Sequence, residues 1–318
     1  MSTDPAWRRL RVDGAQVDVM MAGEGDPLLF LHGWGLTPRV YAAGVTRLIA
    51  AGIRVIAPSL PGFGRSDAPP LHKLTLGEYA ARVAALLDAI EIEKPAFVVG
   101  HSFGGGVAIR LASDRPDLVR SLTLINTVGG GPGKGAGLAN RSWLQWAVGA
   151  AGELSPRDLI RVAPQAARDF IPNALRRPVT LAVTVGVALS ASLADQAAGL
   201  IASGLPVLFV WSDRDKLIAP GAFESMRGEL TNYSVPGRHG WLLADPEFFA
   251  DVIRNALVVH AMLERQRRGD AATRTSGALV LPEGATLADL FPPERRRRAR
   301  NPAQAAQPHG EQRPVQGQ

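Results

Sequence analysis

The spacing of apolar and polar positions changes several times along the chain, and each change marks an element. Arg8-Leu10-Val12 and Val17-Val19-Met21 alternate around Asp13-Gly14, which predicts an antiparallel hairpin with one wet face. Residues 27–31 are apolar without a break, as in a strand covered on both faces, and they run straight into His32-Gly33-Trp34-Gly35. Residues 38–51 read as helix, 53–57 as a short apolar strand, and 58–67, dense in Pro and Gly, as loop. Leu76, Tyr79, Val83, Leu86, Leu87 and Ile90 recur at helical spacing, so the pattern predicts a helix over 75–90. Residues 97–99 and 122–125 are further apolar strands, with a helix-compatible run from 107 to 113 between them. Strands alternating with helices at these intervals imply βαβ units and a mostly parallel sheet. Ligands of such sheets gather beyond the carboxyl ends of the strands, where His32, Ser102, Asn126, Asp213 and Asp215 fall.

From residue 129 to 203 the alternation stops. A glycine-rich joint, Gly129-Gly130-Gly131-Pro132-Gly133, leads into several Pro-punctuated helical pieces, which predict an inserted helical cap or lid. Strand pattern resumes at 206–211 and again at 232–235, followed by a closing helix from 246 to about 265. The expected organisation is therefore an α/β core made of residues 1–128 and 204–268, a cap of residues 129–203, and a tail of residues 269–318. That tail is rich in Gly, Pro, Gln and Arg and is expected to be disordered.

Charge alters this picture in one respect. The net charge is +6, but residues 265–318 hold ten arginines against five acidic residues, which leaves the body with a net charge of one. The basicity belongs to the tail, so it says little about the partner of the folded domain. No nucleic-acid partner is expected, because no aromatic or groove-reading motif accompanies Arg295-Arg296-Arg297-Arg298. Contact of this arginine run with an anionic membrane surface is the alternative role for the tail. Residues 178–194 form an uncharged stretch of 17, short of the about 20 mainly apolar residues of a membrane span, and read instead as a buried or lid helix. The chain has no cysteine, which excludes disulfides, thiolate metal sites and cysteine nucleophiles. With no signal peptide visible at residues 1–5, the expected compartment is the cytoplasm.

The candidate chemistry lies in Gly100-His101-Ser102-Phe103-Gly104, a G-x-S-x-G run with a strand before it and a helix after it. A serine hydroxyl is a weak nucleophile and needs a base, a group to orient that base, and donors for an oxyanion. His239, in a Gly-bounded loop after the last strand, is the candidate base; His72, His260 and His309 lie in a polar loop, in the closing helix and in the tail. His101 flanks the nucleophile and is expected to point elsewhere on the turn. Asp215, four residues beyond Trp211, is the candidate orienting acid. Asp213 is expected to pair with Arg214 or to cap local backbone, and Asn126 is neutral and a poor partner for an imidazolium. The backbone N–H groups of Phe103 and Trp34 are the candidate oxyanion donors. In the cap, Trp143 and Trp146 are candidate lining residues.

With Ser102, Asp215 and His239 in that order, the chain resembles the α/β-hydrolase superfamily, in the branch with a helical cap. The resemblance covers roughly residues 10–265 and includes His32-Gly33-Trp34-Gly35, Pro61-Gly62-Phe63-Gly64-Arg65-Ser66-Asp67 and Trp211-Ser212-Asp213-Arg214-Asp215. It implies a mostly parallel central sheet with flanking helices, a triad of Ser102, Asp215 and His239, oxyanion donors at Trp34 and Phe103, and no metal or organic cofactor. Ser59 departs from similar loops, which often carry aspartate before Leu-Pro-Gly. Serine at 102 disfavours epoxide opening and halide displacement, which in relatives use aspartate there. The activity expected is cleavage of a small apolar ester or acyl substrate. A carbon–carbon bond hydrolase or perhydrolase with the same triad is the alternative, and a non-catalytic binding protein the third.

Overall fold

A computed structural model of the chain describes residues 5–130, 156–218 and 231–269. Among them eight strands form one sheet: β1 (Ala6–Val12), β2 (Ala15–Ala22), β3 (Pro27–Leu31), β4 (Arg54–Pro58), β5 (Ala96–His101), β6 (Val119–Ile125), β7 (Val207–Ser212) and β8 (Thr231–Val235). Their spatial order is β1-β2-β4-β3-β5-β6-β7-β8. The pairs β1/β2 and β2/β4 are antiparallel and the other five are parallel. The hairpin at Asp13-Gly14 is closed by two residues at positive φ, 47° and 78°, the combination a two-residue turn needs to match strand twist. Every residue of β3 is buried, which explains its unbroken apolar sequence.

The helices between strands are α1 (Ala42–Ala50), α2 (Leu76–Ala89) and α3 (Phe103–Asp114). The chain moves one way along the sheet from β3 to β4, then reverses past β3 to β5 and continues to β6. Right-handed crossovers therefore put α1 on one face and α2 and α3 on the other. The packing agrees, with α2 against α3 and α1 against the closing helix α8 (Pro246–Gly269). Helix α2 starts where the side chain of Thr75 accepts a hydrogen bond from Glu78 N–H, a capping arrangement that satisfies one orphan donor. Helix α1 begins at Ala42, four residues later than the start of the stretch 38–51 that the pattern marks as helical. Residues 37–41 instead make tight turns, with Val40 N–H bonded to Thr37 O and Tyr41 N–H to Pro38 O.

Between β6 and β7 the described chain forms α4 (Pro156–Arg176), α5 (Pro178–Ser190) and α6 (Ala194–Ala202). The uncharged stretch at 178–194 is thus mostly α5, and no helix among the described residues is long and apolar enough to cross a membrane. A short α7 (Trp241–Ala244) precedes α8. The chain reverses direction at β3, and in such sheets ligands bind beyond the carboxyl ends of the strands at the reversal; Trp34 and Ser102 follow β3 and β5 there, while Asp215 and His239 follow β7 and β8.

Candidate active site

β5 ends at His101 and α3 begins at Phe103, so Ser102 alone makes the reversal. It adopts φ 53° and ψ −114°, a conformation that costs a non-glycine residue about 1–3 kcal/mol. The turn is tight enough to forbid side chains at two neighbours. A Cβ on Gly100 would lie 2.6 Å from the Gly104 carbonyl oxygen, and one on Gly104 would lie 2.3 Å from that of Leu31. Ser102 N–H donates to Ile125 O at 2.9 Å and Ser102 O accepts from Val128 N–H at 3.2 Å, anchoring the elbow to the end of β6. Ser102 is only 1% exposed, and its Oγ has no hydrogen-bond partner among the described residues.

His239 follows β8 and Asp215 follows β7. His239 Nδ1 donates to Asp215 Oδ2 at 2.8 Å, with side chains 8% and 2% exposed. The other carboxylate oxygen of Asp215 accepts from Leu217 N–H at 2.8 Å and Ile218 N–H at 3.0 Å. A carboxylate so engaged is an acceptor only, which fixes the proton on Nδ1 and leaves Nε2 of the neutral ring with its lone pair. Asp213 turns away. Its Oδ1 accepts from Gly237 N–H at 2.8 Å and meets Arg214 Nε at 3.4 Å, holding the loop that leads to His239.

Three residues that sequence reasoning set aside or passed over hold this arrangement from behind. The backbone carbonyl of His239 accepts from His101 Nε2 and from Asn126 Nδ2, each at 3.3 Å. Asn126, at φ 44°, also donates to Ser212 Oγ at 2.8 Å and accepts from Ser212 N–H at 2.9 Å. One neutral amide thereby ties the ends of β6 and β7 to the loop carrying His239. Its position directly after an apolar run, and the tolerance of Asn for positive φ, were the available signals. On the other side of the His101 ring, Nδ1 accepts from Tyr41 O–H at 2.9 Å, and the Tyr41 oxygen accepts from Gly33 N–H at 3.2 Å. Burial, and secondarily the nearby His239, push the His101 pKa well below its ordinary value. The neutral ring can then donate through Nε2 while accepting at Nδ1, as both contacts require.

The loop after β3 is fixed in a similar way. His32 accepts from Leu60 N–H at Nε2 (2.8 Å) and directs Nδ1 at Gly33 O (2.8 Å). Burial lowers its pKa to about 4, so it too stays neutral. Trp34 and Phe103 each lie three residues beyond the paired positions Leu31 and Gly100 of the adjacent parallel strands β3 and β5. Phe103 opens α3, so its N–H has no intrahelical acceptor and sits at the positive end of the helix. Its ring packs edge-on against Tyr79, with centroids 5.1 Å apart. The indole of Trp34 donates to Thr184 Oγ1 of α5 at 2.9 Å and lies 5.8 Å from the ring of Phe170 in α4.

Trp143 and Trp146, the tail from 270 onward and His309 lie outside the described residues. His260 is elsewhere, in α8, bonded to Thr123 Oγ1 at 2.9 Å. Among the described residues no cluster of three or more His, Asp or Glu could hold a metal ion. The constellation offers a buried hydroxyl on a strained turn and an imidazole oriented by a buried carboxylate. Those are parts for acyl transfer.

Comparison with known proteins gives a consistent family. A model of the alpha/beta hydrolase family matches residues 28–252. A protein of Mycobacterium phage D29 that bears the name non-heme haloperoxidase is 30% identical over 260 residues, covering 77% of this chain and 92% of the relative. A 2-hydroxymuconate semialdehyde hydrolase of a Pseudomonas strain is 38% identical over 126 residues, 38% of this chain and 44% of its own length. Among solved structures, a thermophilic esterase from Thermogutta terrifontis superposes with a TM-score of 0.64 at 21% identity, covering 80% of this chain and 99% of that one.

Proposed function

The chain belongs to the alpha/beta hydrolase family, and we propose that it is a serine hydrolase cleaving the carboxylic ester of an apolar substrate through an acyl-enzyme. The observation that carries this reading is the 2.8 Å hydrogen bond from His239 Nδ1 to Asp215 Oδ2, both side chains buried, in a loop tethered to the elbow of Ser102. In this reading Ser102 Oγ attacks the ester carbonyl carbon and its proton passes to His239 Nε2. The carbonyl oxygen becomes an oxyanion and accepts from the N–H groups of Trp34 and Phe103. Asp215 stabilises the imidazolium without taking its proton. Collapse breaks the bond to the alkoxy oxygen, which leaves as alcohol with the proton from His239. Water then attacks the acyl-enzyme, gives a proton to His239, and Ser102 is regenerated as the acid departs.

A fluorophosphonate probe tests the nucleophile, with labelling of the wild type and none of Ser102→Ala expected. Equal labelling of both, or none of either, would overturn the catalytic reading. A series of p-nitrophenyl esters of increasing chain length then tests the substrate class, with turnover expected for at least the short and medium acyl chains. The second reading, hydrolysis of a carbon–carbon bond, is favoured by the name of the Pseudomonas relative. Probe labelling without turnover of any ester would select it.

A further inference from the structure

The loop of residues 32–37, which carries Trp34, is held from two sides. The core holds its beginning, through His32 and through Gly33 N–H bonded to Tyr41. The helical insertion holds the rest. Asp169, Asn173 and Arg177 are spaced by four, on one side of α4 and the residue that follows it. The Asp169 carboxylate accepts from both Thr37 N–H and Thr37 Oγ1. Asn173, buried, accepts from Gly64 N–H at 2.8 Å and donates to Gly35 O at 3.3 Å. Arg177 donates to Ser66 O. On α5, Thr184 Oγ1 accepts from the Trp34 indole while donating back to its own helix at Thr180 O and Leu181 O. Gly35 is pressed so close to Phe170 that a Cβ there would lie 2.9 Å from the ring. Trp34, Gly35 and Thr37 thus owe their placement to side chains about 130 to 150 residues away in sequence.

We propose that Asn173 and Thr184 are positioning residues for the oxyanion donor at Trp34, so that the seated insertion completes the catalytic site as well as covering it. The proposal rests on the serine-hydrolase reading above. A single amide at 173 spans two loops because it offers an acceptor to one and a donor to the other, and an apolar residue of the same size offers neither. Burial makes the loss consequential. Removing Asn173 leaves Gly64 N–H and Gly35 O without it, removing the Thr184 hydroxyl leaves the Trp34 indole N–H without its acceptor, and in either case the loop relaxes toward whatever partner it can find. Loss of one oxyanion donor lowers turnover by about 10²–10³-fold, and displacing a donor by part of an ångström gives a fraction of that.

The test uses the rate of fluorophosphonate labelling, because the phosphoryl oxygen occupies the oxyanion position and no natural substrate is needed. In Asn173→Leu and Thr184→Val the rate should fall at least about tenfold in the folded fraction, and Thr184→Ser, which restores an acceptor for the indole, should recover it. For the best p-nitrophenyl ester, kcat should fall in parallel while KM stays within about threefold. A lower melting temperature with wild-type labelling rate and kcat would mean a structural role only and would overturn the proposal. So would a rise in KM with unchanged labelling, or failure of Thr184→Ser to rescue. If Asn173→Leu does not fold, the Thr184 pair decides alone. Failure of the serine-hydrolase reading is distinguishable, since the wild type itself would then not label at Ser102.

Discussion

Ser102 is held in two unfavourable conditions at once, and a pair of substitutions separates them. Its hydroxyl is buried without a partner among the described residues, which costs a native state about 1–3 kcal/mol. Its backbone sits at φ 53°, which costs about another 1–3 kcal/mol. Ser102→Ala removes the hydroxyl and keeps the Cβ, so it should stabilise the protein by about 1 kcal/mol. Ser102→Gly also removes the strain, offset by about 0.5–1 kcal/mol of extra freedom in the unfolded chain, and should add roughly another 1 kcal/mol. In a domain of this size each kcal/mol moves the melting temperature by about 2–4 °C. Scanning calorimetry of the three proteins should rank them glycine above alanine above serine, while probe labelling at residue 102 vanishes in both variants. An alanine variant that melts at or below the wild type would refute the account of the unpartnered hydroxyl. A glycine variant that melts below alanine would refute the account of backbone strain.

Two further outcomes follow from the site. The buried imidazoles of His32 and His101 resist protonation in the folded state but titrate near 6.5 when unfolded. Between pH 6.5 and about 4 the unfolded chain therefore binds more protons, and stability falls as pH falls. His32 alone should remove about 2 kcal/mol between pH 8 and pH 5, and His101 adds in the same direction. The raised pKa of Asp169, caused first by burial, acts in the opposite sense as a single group against two. Urea unfolding at pH 8 and pH 5 measures the difference, and equal midpoints would refute neutral burial of the two rings. Asp215→Asn keeps an acceptor for Leu217 and Ile218 N–H but presents an amide donor to His239, forcing the wrong tautomer. Ester turnover should fall by about 10³–10⁴-fold with KM little changed, and a drop of less than tenfold would remove Asp215 from its assigned role.

The elements that must be uniform for physical reasons were the ones that could be read. A strand buried on both faces has to be apolar throughout, so β3 is visible as residues 27–31 and the elbow strand as an apolar run ending at Gly100. The turn at Asp13-Gly14 was equally plain, because few residues accept two successive positive φ values. What local pattern could not show was partnership across the chain. Tyr41 reads as an ordinary helix residue, yet it sits in a turn and bridges Gly33 to His101. Asn126 was weighed as a partner for the imidazole and set aside on charge, while its use is as an amide that meets the end of β7 and the His239 loop at once. Asn173 and Thr184 carry no motif, since their meaning comes only from loops more than a hundred positions earlier.

The sheet order also sets a timetable for synthesis. β3, β4, β5 and β6 leave the ribosome within the first 125 residues and can pair with one another, whereas β7 starts at Val207. At about 5–20 residues per second, the outer edge of β6 waits about 4–16 seconds for its neighbour. That edge belongs to a buried strand containing Leu122 and Leu124, the kind of open apolar edge that invites pairing with another chain. The helical insertion is what lengthens the wait. The strained turn at Ser102 can thus form well before residue 239 exists, and under the proposed mechanism a nascent chain carries the nucleophile without its base until the last strand is added.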